Sequence, residues 1–282
     1  MTLANVTSAI QELERIDPLD ELAYEKAILA YLKIQELPIF IFEIPAGQYI
    51  CRARTHETPD LFKTIKDISF PPNQVVSNFA RCNRPFQSKF YGAETRPTSF
   101  MELVENWVES KNFGDHLYVT TGLWVTKKSL SAIIVTTPDI ENRTSEFDKI
   151  HGHALDNVFL EKYDGESREA LVVFYRLLFE RFRKPSKNDH LTYIITAAYC
   201  NLVLAKAQGQ ANCIFYPSVP FAGQGVNFVI NDEFIRDENI ELQSIMCNEM
   251  TVSENEDHKH SFTESNAWTA KQISSEKNKI EW

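Results

Sequence analysis

Between residues 81 and 107 the chain reads RCNRPFQSKFYGAETRPTSFMELVENW, gathering Arg81, Arg84, Arg96, Tyr91 and Glu102 into a short stretch of an otherwise acidic protein. Side chains of these types, once brought together, can do a particular kind of work. Guanidinium groups present forked donors matched to phosphate oxygens. A placed carboxylate stabilises a cationic centre or orients an attacking water, and an aromatic ring offers a flat wall to a planar ligand. Much later, Tyr216-Pro217-Ser218 ends an apolar run with a hydroxyl that can both donate and accept a hydrogen bond. No histidine lies near Ser218 in sequence to activate it, so positioning suits it better than nucleophilic attack. Each residue also has an ordinary alternative. A helical glutamate is usually solvated or paired, a strand tyrosine is half-buried with a wet hydroxyl, arginines are surface cations, and a serine after proline sits in a turn. Taken singly, the ordinary reading is the better one.

The elements that must position these residues read as α/β, of the α+β kind: a compact mixed-sheet core with helical additions. Residues 3–16 form a short helix, and a second starts at Asp17-Pro18, where Asp can cap and Pro suits the first helical position, and runs to about Gln35. Its Leu19, Leu22, Ala23, Leu29, Ala30 and Leu32 follow helical spacing, which marks residues 1–37 as a packing appendage. From Pro38 the runs IFIFEIP and GQYICRAR predict strands. Phe90-Tyr91 fits a strand, and Thr98–Glu109 returns to helical spacing with Phe100, Leu103, Val104 and Trp107 toward the core. LYVTTGLWVT and SLSAIIVTT, separated by Lys127-Lys128, predict two paired strands. A helical insertion over about 145–207 reads as three helices, around His153–Lys162, Ser167–Arg183 and His190–Ala207. NCIFYPS, VNFVI and LQSIMCNEMTV resume the sheet, so one domain spans 38–250 and would carry any catalytic site, and the polar residues 251–282 read as a tail with little to bury.

A formal net charge of -10 argues against a nonspecific nucleic-acid surface, though an acidic chain can bind an anion in a local basic pocket. No stretch approaches the roughly 20 apolar residues of a membrane-spanning helix, and the acidic N-terminus is unlike a signal peptide, which points to the cytoplasm. Cys51, Cys82, Cys200, Cys213 and Cys247 are odd in number, widely spaced and without a CxxC pair, as expected of free thiols. His151-Gly-His153 and His258-Lys-His260 lack a third and fourth ligand at recognisable spacing, so no metal is expected. Nor is there a Walker A loop or a Rossmann glycine fingerprint.

Arg81, Tyr91 ten residues on, Glu102 eleven further, and a late strand ending in YPSV with GQGVN beyond it resemble, in order and spacing, the RES-domain family, named for its arginine, glutamate and serine. The upstream YICRAR, with Arg52, resembles that family's opening strand, and the likeness spans residues 49–235. It implies a fold related to ADP-ribosylating toxins and cleavage of the nicotinamide–ribose bond of NAD+ by water or by inorganic phosphate. NAD+ would be substrate, with no resident cofactor. Carried over to this chain, the motif positions are Arg81, Tyr91, Glu102 and Ser218, with Arg52 and Asn227 in flanking motifs. Arg52 and Arg81 would hold the pyrophosphate, Glu102 would stabilise the cationic ribose, Tyr91 would stack on nicotinamide, and Ser218 would position nicotinamide or ribose. The family's toxins are often paired with a helix-turn-helix antitoxin, the partner the resemblance implies; self-association is left open. The chain departs from the family at Arg81-Cys82-Asn83, where a tryptophan is common in the middle, and at Phe86, which stands where a glycine would be. Two other readings stay open: ADP-ribosyl transfer to a macromolecule, and a non-catalytic module that binds a nucleotide or protein in the same pocket.

Overall fold

A computed structural model describes residues 1–108, 111–185, 189–219, 225–255 and 260–282. In chain order the elements are α1 (Leu3–Glu14), α2 (Ala23–Leu32), β1 (Ile41–Ile44), β2 (Tyr49–His56), α3 (Ile65–Ile68), β3 (Lys89–Ala93) and α4 (Arg96–Val108). They continue as β4 (His116–Thr126), β5 (Leu130–Ile134), α5 (Glu146–Ala154), α6 (Gly165–Arg183), α7 (His190–Lys206), β6 (Cys213–Pro217) and β7 (Val226–Asn231). Last come α8 (Asp232–Arg236), β8 (Ile240–Glu254), β9 (His260–Thr269), β10 (Gln272–Ser274) and β11 (Lys279–Glu281). The chain is thus α+β. Nine strands form one sheet in the order β1-β5-β6-β7-β3-β2-β4-β8-β9, antiparallel throughout except for β5 beside β6, while β10 and β11 pair apart from it. No helix among the described residues is long and apolar enough to cross a membrane.

The helical additions belong to the main core. α1 opens where the Thr2 hydroxyl accepts from the Asn5 amide at 3.3 Å, and it buries Val6, Ala9 and Leu13 against α6. α7 opens on Asp189, whose carboxylate accepts from the Thr192 amide at 3.0 Å. Tyr31, Phe174, Phe182 and Tyr199 are fully buried where α2, α6 and α7 meet, each phenylalanine contributing about 1.5–3 kcal/mol by leaving water. The insertion's first helix starts earlier than His153, because the Ser145 hydroxyl accepts from the Asp148 amide at 3.0 Å and caps it there.

Three expectations need correction. The second helix does not begin at Asp17: the Asp17 and Asp20 carboxylates accept from the Leu19 and Leu22 amides at 3.0 and 2.8 Å, so these residues close turns and the helix starts at Ala23. Its inner face is also narrower than expected, holding the alanines of that set and none of its leucines. Ala23, Ala27 and Ala30 turn inward because small residues let α2 approach α7 closely, and Leu19, Leu22, Leu29 and Leu32 are exposed. Next, β4 and β5 do not pair with each other. Lys127-Lys128 lacks the residues that accept the positive φ of a two-residue hairpin turn, and β4 joins β2 and β8 while β5 crosses to β1 and β6. Finally, the polar C-terminal segment is built into strands: β9 pairs along β8, Ile280 is buried, and the Trp282 indole donates to the Phe62 carbonyl at 2.7 Å. Backbone pairing holds this segment where apolar burial is scant.

His151 adds a pH dependence to the fold. It is buried on α5 among the rings of Phe147, Phe42 and Phe215, at 4.5, 5.2 and 5.6 Å, and that burial lowers its pKa from 6.5 to about 4. A histidine held neutral in the folded state contributes stability that is fully present above pH 6.5 and lost as pH falls toward 4, a loss of up to about 3 kcal/mol. Asp148, raised by the same burial, offsets part of this below its own folded pKa. His151→Phe should therefore flatten the decline in urea-unfolding free energy between pH 6.5 and 4.5. An equal decline in both proteins would remove His151 as the cause.

Candidate active site

The sheet opens at its centre. β2 pairs with β4 along its whole length, and β3 pairs with β7, yet β2 and β3 share a single registered pair, Cys51 with Ala93. They approach closely only there, beside Gly92, where a Cβ would lie 2.4 Å from the Ile50 methyl and 3.1 Å from the Cys51 carbonyl. Beyond it the strands part, and the Arg52 side chain bridges them. Its Nη1 donates to the Tyr91 carbonyl at 2.5 Å, and its Nε donates to the carbonyls of Ser69 and Ile68 at 3.1 and 3.2 Å. The guanidinium rests against the Phe90 ring at 5.1 Å, and burial lowers its pKa to about 9, so it stays charged at neutral pH.

The gap leads into a cavity of about 770 Å3 whose walls include Arg52, Arg54, Arg81, Tyr91, Glu102 and Asn227. Glu102 arrives on α4, which packs Val104 and Val108 over Ala53, Leu117 and Val119 of the sheet. Its Oε1 accepts from the Ser218 hydroxyl at 2.6 Å and from the Asn227 amide at 2.7 Å. The β6–β7 register brings those two donors together: Tyr216 pairs with Asn227, and the Ser218 amide donates to the Gly225 carbonyl at 2.7 Å. Thr98, one turn before Glu102, sits so close to Gly225 that a Cβ there would meet its side chain at 2.5 Å. With both donors on Oε1, Oε2 has no partner among the described residues. Ser218 is fully buried and acts on the cavity only through Glu102.

The Tyr91 hydroxyl is fully engaged. It donates to Asn83 Oδ1 at 2.7 Å and accepts from the Cys82 amide at 2.9 Å, and burial raises its pKa well above the usual tyrosine value. It stays protonated at neutral pH, and its ring is the part available to a ligand. Arg81 is partly committed as well: Nη1 and Nη2 donate to the carbonyls of Arg181 and Lys184 at 2.8 and 3.1 Å, satisfying the C-terminal end of α6, and the guanidinium lies 5.4 Å from the Tyr193 ring centre. Among the described residues these bonds engage two of the five guanidinium protons of Arg81 and two of those of Arg52.

Of the six residues singled out in the sequence, Arg52, Arg81, Tyr91, Glu102 and Asn227 line one cavity, and Ser218 lies behind Glu102. The other arginines of the dense segment do not line it. Arg84 lies over Tyr24 at 5.8 Å, and Arg96 hydrogen-bonds Asn248. Arg54 takes their place, lining the cavity two residues after Arg52, and alternation along β2 is a signal that could have found it. Tyr193 and Tyr216, two further aromatic walls, carried no local signal. Phe86 has φ 61, so the position keeps the backbone conformation that favours glycine. Among the described residues no three His, Cys, Asp or Glu side chains gather as a metal site; His258 lies outside them, as do Gly223 and Gln224 of the GQGVN run. Compared with known proteins, the chain matches no family model and no curated protein.

Proposed function

We propose that this chain degrades NAD+ by breaking the bond between nicotinamide and ribose, as a RES-type enzyme with a core related to ADP-ribosylating toxins. The observation that carries the reading is the Glu102 carboxylate, held through one oxygen by Ser218 and Asn227 at the wall of a cavity shared by three arginines and three tyrosine rings. Nicotinamide leaves with the bonding electrons, and positive charge develops on the ribose. Oε2 of Glu102 stabilises that charge, or accepts a hydrogen bond from a ribose hydroxyl or from the attacking group. Arg52, Arg81 and Arg54 supply donors to the pyrophosphate, and the Tyr91 ring flanks nicotinamide. The attacking group is water or inorganic phosphate. NAD+ is consumed as substrate, with no resident cofactor.

On this reading the protein acts in the cytoplasm as a toxin, and a helix-turn-helix antitoxin would restrain it by covering the cavity mouth. Purified protein incubated with NAD+, with and without inorganic phosphate, should release free nicotinamide, the other product being ADP-ribose or its phosphorylated form. Absence of nicotinamide release without an added macromolecule would sink this reading in favour of ADP-ribosyl transfer or simple binding.

A further inference from the structure

Four leucines on the outer face of α2 and the turn before it stand in water: Leu19, Leu22, Leu29 and Leu32 are 86%, 59%, 61% and 57% exposed. Leucines at this exposure, beside a helix face of buried alanines, form an apolar stripe without a partner in the chain. Leu22, Glu25, Leu29 and Leu32 follow one another at steps of three, four and three residues, and Lys26 lies four after Leu22 and three before Leu29, so they lie along one side of the helix. Their order has a symmetry that identifies the occupant. Leu22 and Leu29 are equally far from the midpoint between Glu25 and Lys26, and so are Leu19 and Leu32. If a second copy of α2 is laid antiparallel about a two-fold axis through that midpoint, Leu22 meets Leu29 and Glu25 meets Lys26 of the other copy, while Leu32 runs on toward the partner's turn before α2, where Leu19 is exposed. An isologous interface requires this self-complementarity, whereas an unrelated partner would not.

We infer that the leucine face of α2 is the two-fold interface of a homodimer. Asp20, which ion-pairs with Lys26 within the chain, lies beside that contact, so each lysine is shared between its own Asp20 and the partner's Glu25. The patch over residues 17–33 falls below the roughly 20–30 residues per side of a standard interface, so association in the micromolar range is expected. The inference does not depend on the reaction catalysed in the cavity.

Sedimentation equilibrium of the full chain, carried to concentrations well above the micromolar range, should approach twice the 32.5 kDa chain mass, and Leu29→Glu should keep a single chain's mass there with an unchanged circular dichroism spectrum. The pairing itself is tested with a short bis-maleimide, because all five native cysteines are buried. A mixture of Leu22→Cys and Leu29→Cys chains should cross-link strongly, and neither variant alone should. A monomeric wild type, or a dimer indifferent to Leu29→Glu, would overturn the interface. Cross-linking of Leu29→Cys with itself would overturn the antiparallel arrangement.

Discussion

Glu102→Gln is expected to slow nicotinamide release from NAD+ by about a thousandfold while changing KM only a few-fold, an effect of roughly 4 kcal/mol on the transition state. The substitution is nearly isosteric, and the glutamine carbonyl can take the place of Oε1, accepting from Ser218 and Asn227 as before. What changes is the group at Oε2: a neutral amide replaces the charge that would face the developing cation. Ground-state binding by the arginines and tyrosines does not use that charge, so the loss belongs to kcat. Steady-state kinetics of wild type and variant separate the two effects. Equal turnover would remove Glu102 from the chemistry, and a large rise in KM alone would make it a binding residue.

The second large effect concerns stability. Arg52→Met should destabilise the ligand-free protein by about 3 kcal/mol and lower its melting temperature by roughly 6–12 °C. Methionine fills much of the same volume against Phe90, but the carbonyls of Ile68, Ser69 and Tyr91 lose their donor inside the gap between β2 and β3. Release of a buried charge offsets part of the cost, which keeps the total below the sum of three orphaned acceptors. Thermal unfolding without ligand reads this directly. A shift under about 2 °C would mean that Arg52 serves the ligand and does little for the sheet.

Local patterns carried much of the fold. The spacing in α4, α6 and α7 and the β-branched runs of β2, β6, β7 and β8 follow the apolar periodicity of their burial. Where the reading failed, a nonlocal term decided. In α2 leucine and alanine share one period, and only the closeness of α7 selects alanine for the inside. β9 is exposed on both faces, so it shows no alternation that could mark it as a strand, and its position follows from pairing with β8. For the site, motif spacing collected Arg52, Arg81, Tyr91, Glu102 and Asn227 around one cavity, with Ser218 buried behind Glu102. Their division of labour was not legible: the bonds that commit Arg81 to the end of α6 and Tyr91 to Asn83 appear only once the chain has closed on itself.

The seat of Thr98 on Gly225 has a mechanical meaning. Thr98 and Glu102 belong to one helix, Glu102 is tied to Ser218, the Ser218 backbone is tied to Gly225, and Gly225 bears on Thr98. These contacts form a closed circuit, in which a shift of one member bears on the next. The carboxylate is therefore positioned by the fold itself, and a ligand that meets it does not bear the entropy of gathering its partners.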